Sequence, residues 1–248
     1  MLTRPDVINH LATTLCHADD IRAAWLGGSD ATSRADELSD IDLMLIVRAG
    51  RAEPAAGAVE AALVALSPIR VKLRLPMPTW HGFEQCFYQL ENAPEYLMVD
   101  WLIIEQGQKH PWLEAERHGT PRVLFDKDSD IVPGHADRAA LEAAAKKKVA
   151  DIRAKFAMFR HLPPKLAQRG LGPDAAYFYQ ALVLRPLVDL LRARYCPERH
   201  DFGFRYLNDD LPSDLYEEIR RLCYPPNAES IPRFVRDASD LFEKHAAG

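Results

Sequence analysis

The segment from Ile21 to Val47 most constrains the fold of this chain. A short apolar run, Ile21 to Leu26, ends at the glycine pair Gly27-Gly28, and a dense aliphatic run, Ile41 to Val47, follows a polar spacer. Apolar runs of this length, bounded by glycine and polar residues, are typical of buried strands. The segment therefore predicts two strands connected by a tight glycine turn and a polar loop.

Two acidic residues stand at the start of the second predicted strand. Because side chains alternate between the two faces of a strand, we expect Asp40 and Asp42 to project to one side while Ile41 points into the core. Two like charges held this close repel each other, and a divalent cation relieves the repulsion. Carboxylate oxygens suit Mg²⁺, which completes its coordination with substrate phosphates and water. The pattern predicts a magnesium site with a nucleoside triphosphate as its partner.

A third acid, Asp100, lies inside the apolar sequence Leu97 to Ile104. A buried carboxylate is costly unless it is paired, protonated or bound to a cation. If this strand lies beside the strand of Asp40 and Asp42, all three acids converge above the sheet. Two metal ions held in this way support an in-line displacement at a phosphorus atom. Asp100 would then bind the metal nearer the attacking hydroxyl or help to remove its proton.

Each of these signals also has a structural interpretation. The glycine pair alone is consistent with a turn that ends a strand. Asp40 and Asp42 alone are consistent with a turn cap and a surface position on an edge strand. Asp100 alone is consistent with an ion pair to an arginine such as Arg70 or Arg74. We favour the functional interpretation because the three features occur together.

The glycine turn is the predicted phosphate site. The backbone N–H groups of Gly28 and Ser29, with the Ser29 hydroxyl, are expected to hold the β- and γ-phosphates of the nucleotide. Glycine is needed there because a Cβ atom would block the close approach of phosphate to the backbone.

The two halves of the chain differ in their pattern. The first half mixes predicted strands and helices, whereas apolar residues recur at helical spacing after about Pro133. The three apolar stripes are Leu141, Ala145, Val149, Ile152, Phe156 and Phe159; Ala176, Tyr179, Val183, Leu187, Leu190 and Leu191; and Ile231, Phe234, Val235, Ala238, Leu241 and Phe242. We therefore predict an α+β protein in which a small mixed-sheet domain, residues 1–132, holds metal and nucleotide, and a helical bundle, residues 133–248, binds the acceptor substrate. Pro186 is expected to kink one of the helices. The further predicted elements are helices at Val7 to Cys16 and Ala55 to Leu66, a half-exposed strand at Ile69 to Leu75, and a strand at Tyr96 to Ile104.

Composition narrows the classes of function. The 248 residues carry a formal charge of −5, and the chain has a pI near 6.0. Nucleic-acid binding favours a basic protein surface because the phosphate backbone is negatively charged. A nucleic-acid partner is therefore not expected for this acidic chain. The four cysteines form no Cys-x-x-Cys pair and predict neither a zinc site nor a disulfide framework. No signal region or membrane span is recognised, so we expect a cytoplasmic protein without a membrane partner.

Three motifs together resemble a known family. Leu26-Gly27-Gly28-Ser29, Ser39-Asp40-Ile41-Asp42-Leu43 and Val99-Asp100-Trp101 are similar to the motifs of the nucleotidyltransferases of the DNA polymerase β superfamily. Within this superfamily, the motifs are most similar in form to those of the small bacterial enzymes that adenylylate aminoglycoside or lincosamide antibiotics. The resemblance spans about residues 21–105, and the helical remainder is similar in layout to the substrate domain of those enzymes.

The resemblance implies an activity, cofactors and site residues. The activity is Mg²⁺-dependent transfer of a nucleoside monophosphate, by default AMP from ATP, to a hydroxyl group, with release of pyrophosphate. Two Mg²⁺ ions are expected on Asp40, Asp42 and Asp100. Gly28, Ser29 and Ser39 belong to the motifs that bind the nucleotide.

Several basic residues are weaker candidates for the nucleotide. Arg34 lies in the polar loop, where it either reaches the triphosphate or remains solvated. Lys165 and Arg169, four residues apart before a glycine, are similar to a basic element that neutralises phosphate, or they are a solvated helix end. Arg205 and Tyr206 are similar to a basic-aromatic pair that meets the nucleotide from the helical domain, or they are a surface residue and a core residue. The run Lys146 to Lys148 is interpreted as a solvated face, with attraction of polyphosphate as the alternative.

The aromatic residues after Pro78 are candidates for the acceptor pocket, although such residues more often belong to a core. They are Trp80, Phe83, Phe87 and Tyr88. His81, in the same stretch, has no partner at metal-ligand spacing and is interpreted as structural or exposed.

Three classes of function therefore compete. The first, which we favour, is nucleotidyl transfer to a small molecule, such as an aminoglycoside-like or lincosamide-like antibiotic. The second is AMP transfer to a protein, or addition to RNA, of the toxin–antitoxin type. The third is a nucleotide-binding module without turnover. The sequence leaves the acceptor, the choice of nucleoside triphosphate and the oligomeric state open.

Overall fold

The computed structural model describes residues 1–246, so residues 247 and 248, the end of the predicted helical domain, lie outside the described residues. The chain divides into two compact units, Met1–Ala136 and a second unit that begins at Asp137. The division falls after residue 136, where the sequence analysis placed a boundary after residue 132.

The first unit is built on a mixed sheet that has six strands within residues 1–246. The strands are β1 (Ile21–Leu26), β2 (Ile41–Val47), β3 (Ile69–Arg74), β4 (Glu84–Leu90), β5 (Met98–Glu105) and β6 (Arg122–Asp126). Their order in the sheet is β3-β4-β5-β2-β1-β6. Strands β2 and β5 are parallel, and the other neighbours are antiparallel.

Two of the helices of this unit cover one face of the sheet. Helix α1 (Arg4–Leu15) begins with a capping box between Thr3 and Asp6, and α3 (Ala52–Leu66) is alanine-rich. Their apolar sides pack on alternate residues of the central strands in the main core of the unit. These alternate residues include Ile41, Leu43, Leu45 and Val47 of β2 and Val99, Trp101 and Ile103 of β5.

The opposite face of the sheet carries a smaller core. Trp25, Met44, Ile46, Leu102 and Ile104 pack together there. Because side chains alternate along a strand, Asp42 and Asp100 belong to this second face. Two short helices, α2 (Gly28–Ala31) and α4 (Ala115–His118), complete the unit.

The predicted strands of the first unit are present with small shifts. The strand predicted at Ile41 to Val47 has those bounds, and the strand predicted at Tyr96 to Ile104 covers Met98–Glu105. The strand predicted at Ile69 to Leu75 is more exposed than expected because β3 lies at an edge of the sheet. Val71 is 50% exposed and Leu73 is 56% exposed.

Two strands were missed by the sequence analysis. Strand β4 carries polar residues within its alternation, among them Glu84, Gln85 and Gln89, which obscure the apolar signal. Strand β6 has five residues and lies at the other edge of the sheet, where selection for apolar residues is weak.

The second unit consists of helices and connecting turns, without a strand, in its described residues, 137–246. Its α-helices are α5 (Arg138–Phe159), α6 (Leu162–Gln168), α7 (Gly172–Tyr179), α8 (Arg185–Tyr195), α9 (Leu207–Asp210), α10 (Ser213–Leu222) and α11 (Ile231–Ala246). A single core contains side chains from most of them, including Phe156, Leu187, Leu190, Ile219 and Phe242. The α+β fold class, with a mixed-sheet domain followed by helices, is confirmed.

The apolar stripe predicted from Ile231 to Phe242 agrees with helix α11, whereas Phe159 and Ala176 of the other two stripes are exposed. All six apolar positions predicted between Ile231 and Phe242 are buried. A π-helical turn, Gln180–Leu184, ends two residues before Pro186. Proline removes a backbone donor and so accounts for a distorted helix at this point.

None of the helices within residues 1–246 combines the length and the apolar character that crossing a membrane requires.

Candidate active site

The pairing of β2 with β5 brings two of the predicted acids together. In this parallel pair Asp42 lies in register with Asp100. Residues in register on neighbouring strands project to the same face of the sheet, so both carboxylates lie on the second face, near the first residues of their strands. Asp40 lies one residue before β2.

The glycine turn is in direct contact with Asp42. Gly28 has a φ of +50°, and a Cβ atom built on it would lie 1.8 Å from Oδ2 of Asp42. The backbone N–H of Gly27 donates to the carbonyl of Asp42 at 2.9 Å. Only glycine combines this backbone conformation with such a close approach to the carboxylate. The turn and the acid motif therefore form one continuous surface.

A buried arginine ties the glycine turn to the acid motif. Arg4, in the first turn of α1, forms an ion pair with Asp30, whose side chain is only 2% exposed. The same guanidinium donates from Nε to the backbone carbonyls of Ser39 and Asp40 at 3.1 and 3.2 Å. Arg122 also pairs with Asp30, at 3.0 Å.

Arg4 was not among the predicted site residues, although its position in the sequence carried a signal. A cation in the first turn of a helix faces the positive end of the helix dipole. Its unfavourable position hints that another part of the protein requires the charge.

Asp100 has an unusual electrostatic environment. Burial, together with the negative charges of Asp42 and Asp40, raises its pKa to about 7, against the lowering effect of a hydrogen bond from Gln85. The Gln85 amide Nε2 donates to Oδ1 and Oδ2 of Asp100 at 2.9 and 2.8 Å. Burial also raises the pKa of Asp40, against a backbone N–H from Met98 and the charge of Arg4.

The structural alternative for Asp100 predicted a pair with Arg70 or Arg74. Arg74 instead pairs with Glu53 and Glu84, and Arg70 donates to the carbonyl of Glu91 at 3.2 Å. The polar partner of Asp100 is therefore an amide rather than either arginine.

The three acids offer the donors that Mg²⁺ prefers, which are carboxylate oxygens. The mutual repulsion that raises the pKa of Asp100 is the effect that a bound cation would relieve. In residues 1–246, no three or more His, Cys, Asp and Glu side chains already stand in a metal-ligating arrangement. The donor chemistry fits the predicted metal, and binding requires the carboxylates to close around it.

The remaining predicted residues of the first unit lie in the loop between α2 and β2. The Ser39 hydroxyl donates to the Asp36 carboxylate at 2.9 Å and accepts from the Asp36 backbone at 3.0 Å. Arg34 is exposed, and its backbone N–H donates to the carbonyl of Ser29 at 2.8 Å. Ser39 is thus occupied within its own turn.

The basic candidates of the second unit occupy exposed positions. Lys165 lies on α6, and Arg169 is the first residue after this helix. Gly170 comes next and has a φ of +74°. Arg205 lies with its guanidinium 4.7 Å from the Phe202 ring centroid. Their roles towards a nucleotide stay predictions.

Lys148 departs from the predicted solvated run Lys146 to Lys148. Its Nζ lies 3.0 Å from Oδ1 of Asp189 and donates to the His200 carbonyl at 2.6 Å. The interpretation as a solvated face is therefore wrong for this residue.

The aromatic residues after Pro78 divide into different environments. Tyr88 belongs to the main core, whereas Trp80 is 90% exposed. His81 is half-buried and hydrogen-bonded to Gln85, so it is not the exposed residue that one interpretation proposed.

A recess of about 650 Å³ lies away from these acids. Its lining includes Gln108, His110, Asp130 and His135, and it contains none of the predicted site residues. Gln108 follows the last residue of β5, whereas Asp100 lies near the first.

No family model matches the chain, and no curated protein matches its sequence. The structure is similar to spectinomycin adenyltransferase AAD(9) from Enterococcus faecialis, solved with ATP and spectinomycin. The TM-score is 0.36 at 12% identity, over 96% of this chain and 90% of the other.

Two further solved structures are similar. A nucleotidyltransferase-like protein from Exiguobacterium sibiricum has a TM-score of 0.38 at 11% identity, over 96% of this chain and 74% of the other. A STING-associated CdnE c-di-GMP synthase from Capnocytophaga granulosa has a TM-score of 0.28 at 11% identity, over 97% and 82%. Identities and TM-scores this low support no conclusion about activity or substrate.

Proposed function

We propose that this protein is a Mg²⁺-dependent nucleotidyltransferase that transfers a nucleoside monophosphate, AMP from ATP, to a hydroxyl group of a small molecule. One observation carries the proposal. The parallel register of β2 and β5 sets Asp42 and Asp100 side by side on one face, with the Asp42 carboxylate against the Cα atom of Gly28.

A buried carboxylate without an opposing cation is costly, which supports a role for Asp100 other than stability. Asp100 has an amide rather than a cation as its hydrogen-bonding partner, and its neighbours Asp40 and Asp42 are also acidic. A folded protein tolerates such a group when a ligand or reaction uses it.

In the proposed reaction the acceptor hydroxyl attacks the α-phosphorus of the nucleotide. The new O–P bond forms as the bond between the α-phosphorus and the bridging oxygen breaks, and pyrophosphate leaves. The proton of the hydroxyl passes to the Asp100 carboxylate. Gly28 and Ser29 hold the β- and γ-phosphates through their backbone N–H groups.

Asp40, Asp42 and Asp100 would hold the magnesium. When bound, the metal supplies positive charge that neutralises the developing charge on the phosphoryl oxygens. Asp40 and Asp42 orient the nucleotide, and Asp100 receives the proton. The three acids are half-buried.

We assign acceptor specificity to the helical unit. Lys165 and Arg205 are exposed and basic there.

The direct test is a transfer assay. The protein would be mixed with Mg²⁺ and each nucleoside triphosphate, and offered aminoglycosides, lincosamides, sugars, proteins and RNAs. Mass spectrometry then detects a nucleotidyl adduct, and a coupled assay detects pyrophosphate. We expect an adduct on a small molecule with ATP as donor.

The matched variants are Asp42→Asn and Asp128→Asn. Loss of the Asp42 carboxylate should reduce the rate of pyrophosphate release by at least about 100-fold without unfolding the protein. Asp128, 44% exposed and paired with Arg22, should tolerate its substitution.

The other two classes of function appear as distinct outcomes. If the nucleotidyl adduct forms only on protein or RNA, the acceptor is a macromolecule and the proposed small-molecule acceptor is wrong. Mg²⁺-dependent binding of ATP in calorimetry, without any adduct across the panel, would support a binding module and contradict the proposed transfer.

A further inference from the structure

A chain of hydrogen bonds leads from the loop before β4 to Asp100. Phe83 donates its backbone N–H to Nδ1 of His81 at 3.2 Å. His81 Nε2 lies 2.9 Å from Oε1 of Gln85, and the Gln85 amide then reaches both oxygens of Asp100. Thr79 Oγ1 lies 3.2 Å from the same Nδ1 and donates to the Phe83 carbonyl at 2.7 Å.

The bond from the Phe83 backbone sets the direction of the bonds that lead on from His81 to Asp100. Since Nδ1 of His81 accepts a backbone N–H, the ring proton lies on Nε2 and is donated to the Gln85 oxygen. The amide group of Gln85 is thereby turned with its –NH₂ towards Asp100. A glutamine held in the opposite orientation would present an oxygen to the carboxylate and repel it.

Aromatic packing fixes the ring of His81 in place. The ring lies edge-on to Trp112 and close to Phe83, with centroid distances of 5.8 and 6.1 Å. Phe83 and Trp112 also contact each other, at 4.8 Å, beside the small core of the second face. The imidazole is thus half-buried on a rigid support, which is what an orienting group requires.

We infer that Gln85 is a positioning residue for Asp100, and that His81 acts on Asp100 only through Gln85. The inference rests on the proposed function, because it assigns these two residues to the orientation of an acid that binds metal and accepts a proton. The amide fixes the plane and torsion of the carboxylate before metal and nucleotide arrive. Outer partners of this kind orient ligands, and their loss typically reduces metal affinity or activity by about 10- to 100-fold.

The chain offers a matched control on the same strand. Gln89 lies four residues after Gln85 in β4, and its amide donates to the Glu95 carbonyl at 2.8 Å. Gln89→Leu and Gln85→Leu therefore make the same chemical change on the same strand, but only the second removes a partner of Asp100.

The first measurement is the affinity for Mn²⁺ in the presence of a non-hydrolysable ATP analogue. The electron paramagnetic resonance signal of free Mn²⁺ reports how much metal is bound. We expect Gln85→Leu to weaken binding by about 10- to 100-fold and Gln89→Leu to leave it unchanged. Equal affinities for the two leucine variants would overturn the inference. If the wild-type protein itself binds no Mn²⁺, the proposed function fails as well.

A double-mutant cycle tests the role of His81. His81→Phe should weaken Mn²⁺ binding in the wild-type background and have no further effect in the Gln85→Leu background, because its only route to Asp100 is then absent. His81→Gln, which places an amide donor near the former Nε2, should restore part of the loss. Additive effects of the two substitutions would contradict the proposed route.

A second measurement requires neither metal nor activity. In ¹⁵N spectra of the metal-free protein, His81 should be the tautomer protonated at Nε2, and the Gln85 side-chain amide protons should be protected from exchange. The opposite tautomer in the wild-type protein would overturn the relay as described, even if transfer activity is found. Thermal unfolding of each variant checks that the fold is retained.

Discussion

At the scale of single residues, the close contact between Gly28 and Asp42 restricts position 28 of the glycine turn to glycine. We predict that Gly28→Ala destabilises the protein by about 1–3 kcal/mol, because alanine disfavours a positive φ and its Cβ collides with the carboxylate. Nucleotide affinity should fall as well, since the carboxylate must move. Urea unfolding and calorimetry with Mg²⁺ and ATP measure the two effects.

The control is Gly57→Ala, in the middle of α3, where an added Cβ meets nothing within 4 Å. This substitution should stabilise the protein by about 0.5–1 kcal/mol, because alanine is favoured in helices. A Gly28→Ala protein that is as stable as Gly57→Ala would contradict the tight contact.

Asp100 leads to a prediction about pH. Its pKa is raised to about 7 in the folded protein, above the ordinary value near 3.8, because it is buried near two other acids. The folded protein therefore retains a proton that the unfolded chain has already lost. The stabilisation from this proton is complete below about pH 4 and is lost as the pH rises through 7.

We predict that Asp100→Asn removes this dependence. Between pH 5 and pH 8 the free energy of unfolding of the variant should gain about 1–2 kcal/mol relative to the wild type in the absence of Mg²⁺. Urea unfolding at both pH values measures the change. A difference between variant and wild type that is the same at both pH values would show that Asp100 titrates normally.

The sequence predicted some of these residue contacts and not others. Alternation along a strand predicted the directions of Asp42 and Asp100, and glycine chemistry predicted the turn. The partners Arg4 and Gln85 were missed because they are distant in sequence from the residues they contact, by 26 positions for Arg4 and Asp30 and by 15 for Gln85 and Asp100. Local patterns do not report such pairings.

At the scale of elements, α1 and the glycine turn depend on one buried ion pair. We predict that Asp30→Asn destabilises the protein by about 3–5 kcal/mol, because it leaves the Arg4 guanidinium buried without an anionic partner. Equilibrium unfolding in urea provides the measurement. Nucleotide affinity should fall too, because Arg4 also binds the carbonyls of Ser39 and Asp40.

The same substitution at a surface pair provides the comparison. Asp128→Asn removes the partner of Arg22, and it should cost no more than about 1 kcal/mol because Asp128 is partly exposed. Similar losses for Asp30→Asn and Asp128→Asn would mean that the buried pair does not anchor the turn.

The elements themselves were predicted to different degrees. The buried strand Ile41–Val47 and helix Ile231–Ala246 follow strong apolar patterns and were predicted closely. Strand β4 was missed because polar residues interrupt its apolar alternation, and one of them, Gln85, donates to Asp100. A strand that carries a site loses part of the pattern by which strands are recognised.

At the scale of the whole molecule, each unit has its own core. In the helical unit the fully buried Arg192 pairs with Asp210 at 2.6 Å and donates to the carbonyl of Gly203 at 2.5 Å. We predict that Arg192→Leu speeds hydrogen exchange in α8 and α9 while the amides of the central sheet strands stay protected. Exchange followed by mass spectrometry measures both regions.

Arg220→Leu is the control, since Arg220 forms an exposed pair with Glu217 on α10. It should leave exchange in both units unchanged. Equal acceleration of exchange in the sheet and in α8 after Arg192→Leu would show that the two cores unfold as one.

The division of the chain into a mixed α/β part and a helical part was recognisable because the period of the apolar pattern changes along the sequence. The sequence could not show that, within residues 1–246, the three acids do not already have the arrangement of a complete metal-ligand set. Their final spacing depends on side-chain torsions and on repulsion between charges, which a linear pattern does not contain.

The central claim is that the first residues of β2 and β5 form a metal and nucleotide site. A crystal structure of the protein with Mn²⁺ and a non-hydrolysable ATP analogue tests it most directly. We predict an anomalous peak about 2.1–2.2 Å from carboxylate oxygens of Asp40 and Asp42, with the β- and γ-phosphates against the backbone of Gly28 and Ser29. Nucleotide bound elsewhere, or a peak away from these carboxylates, would contradict the account.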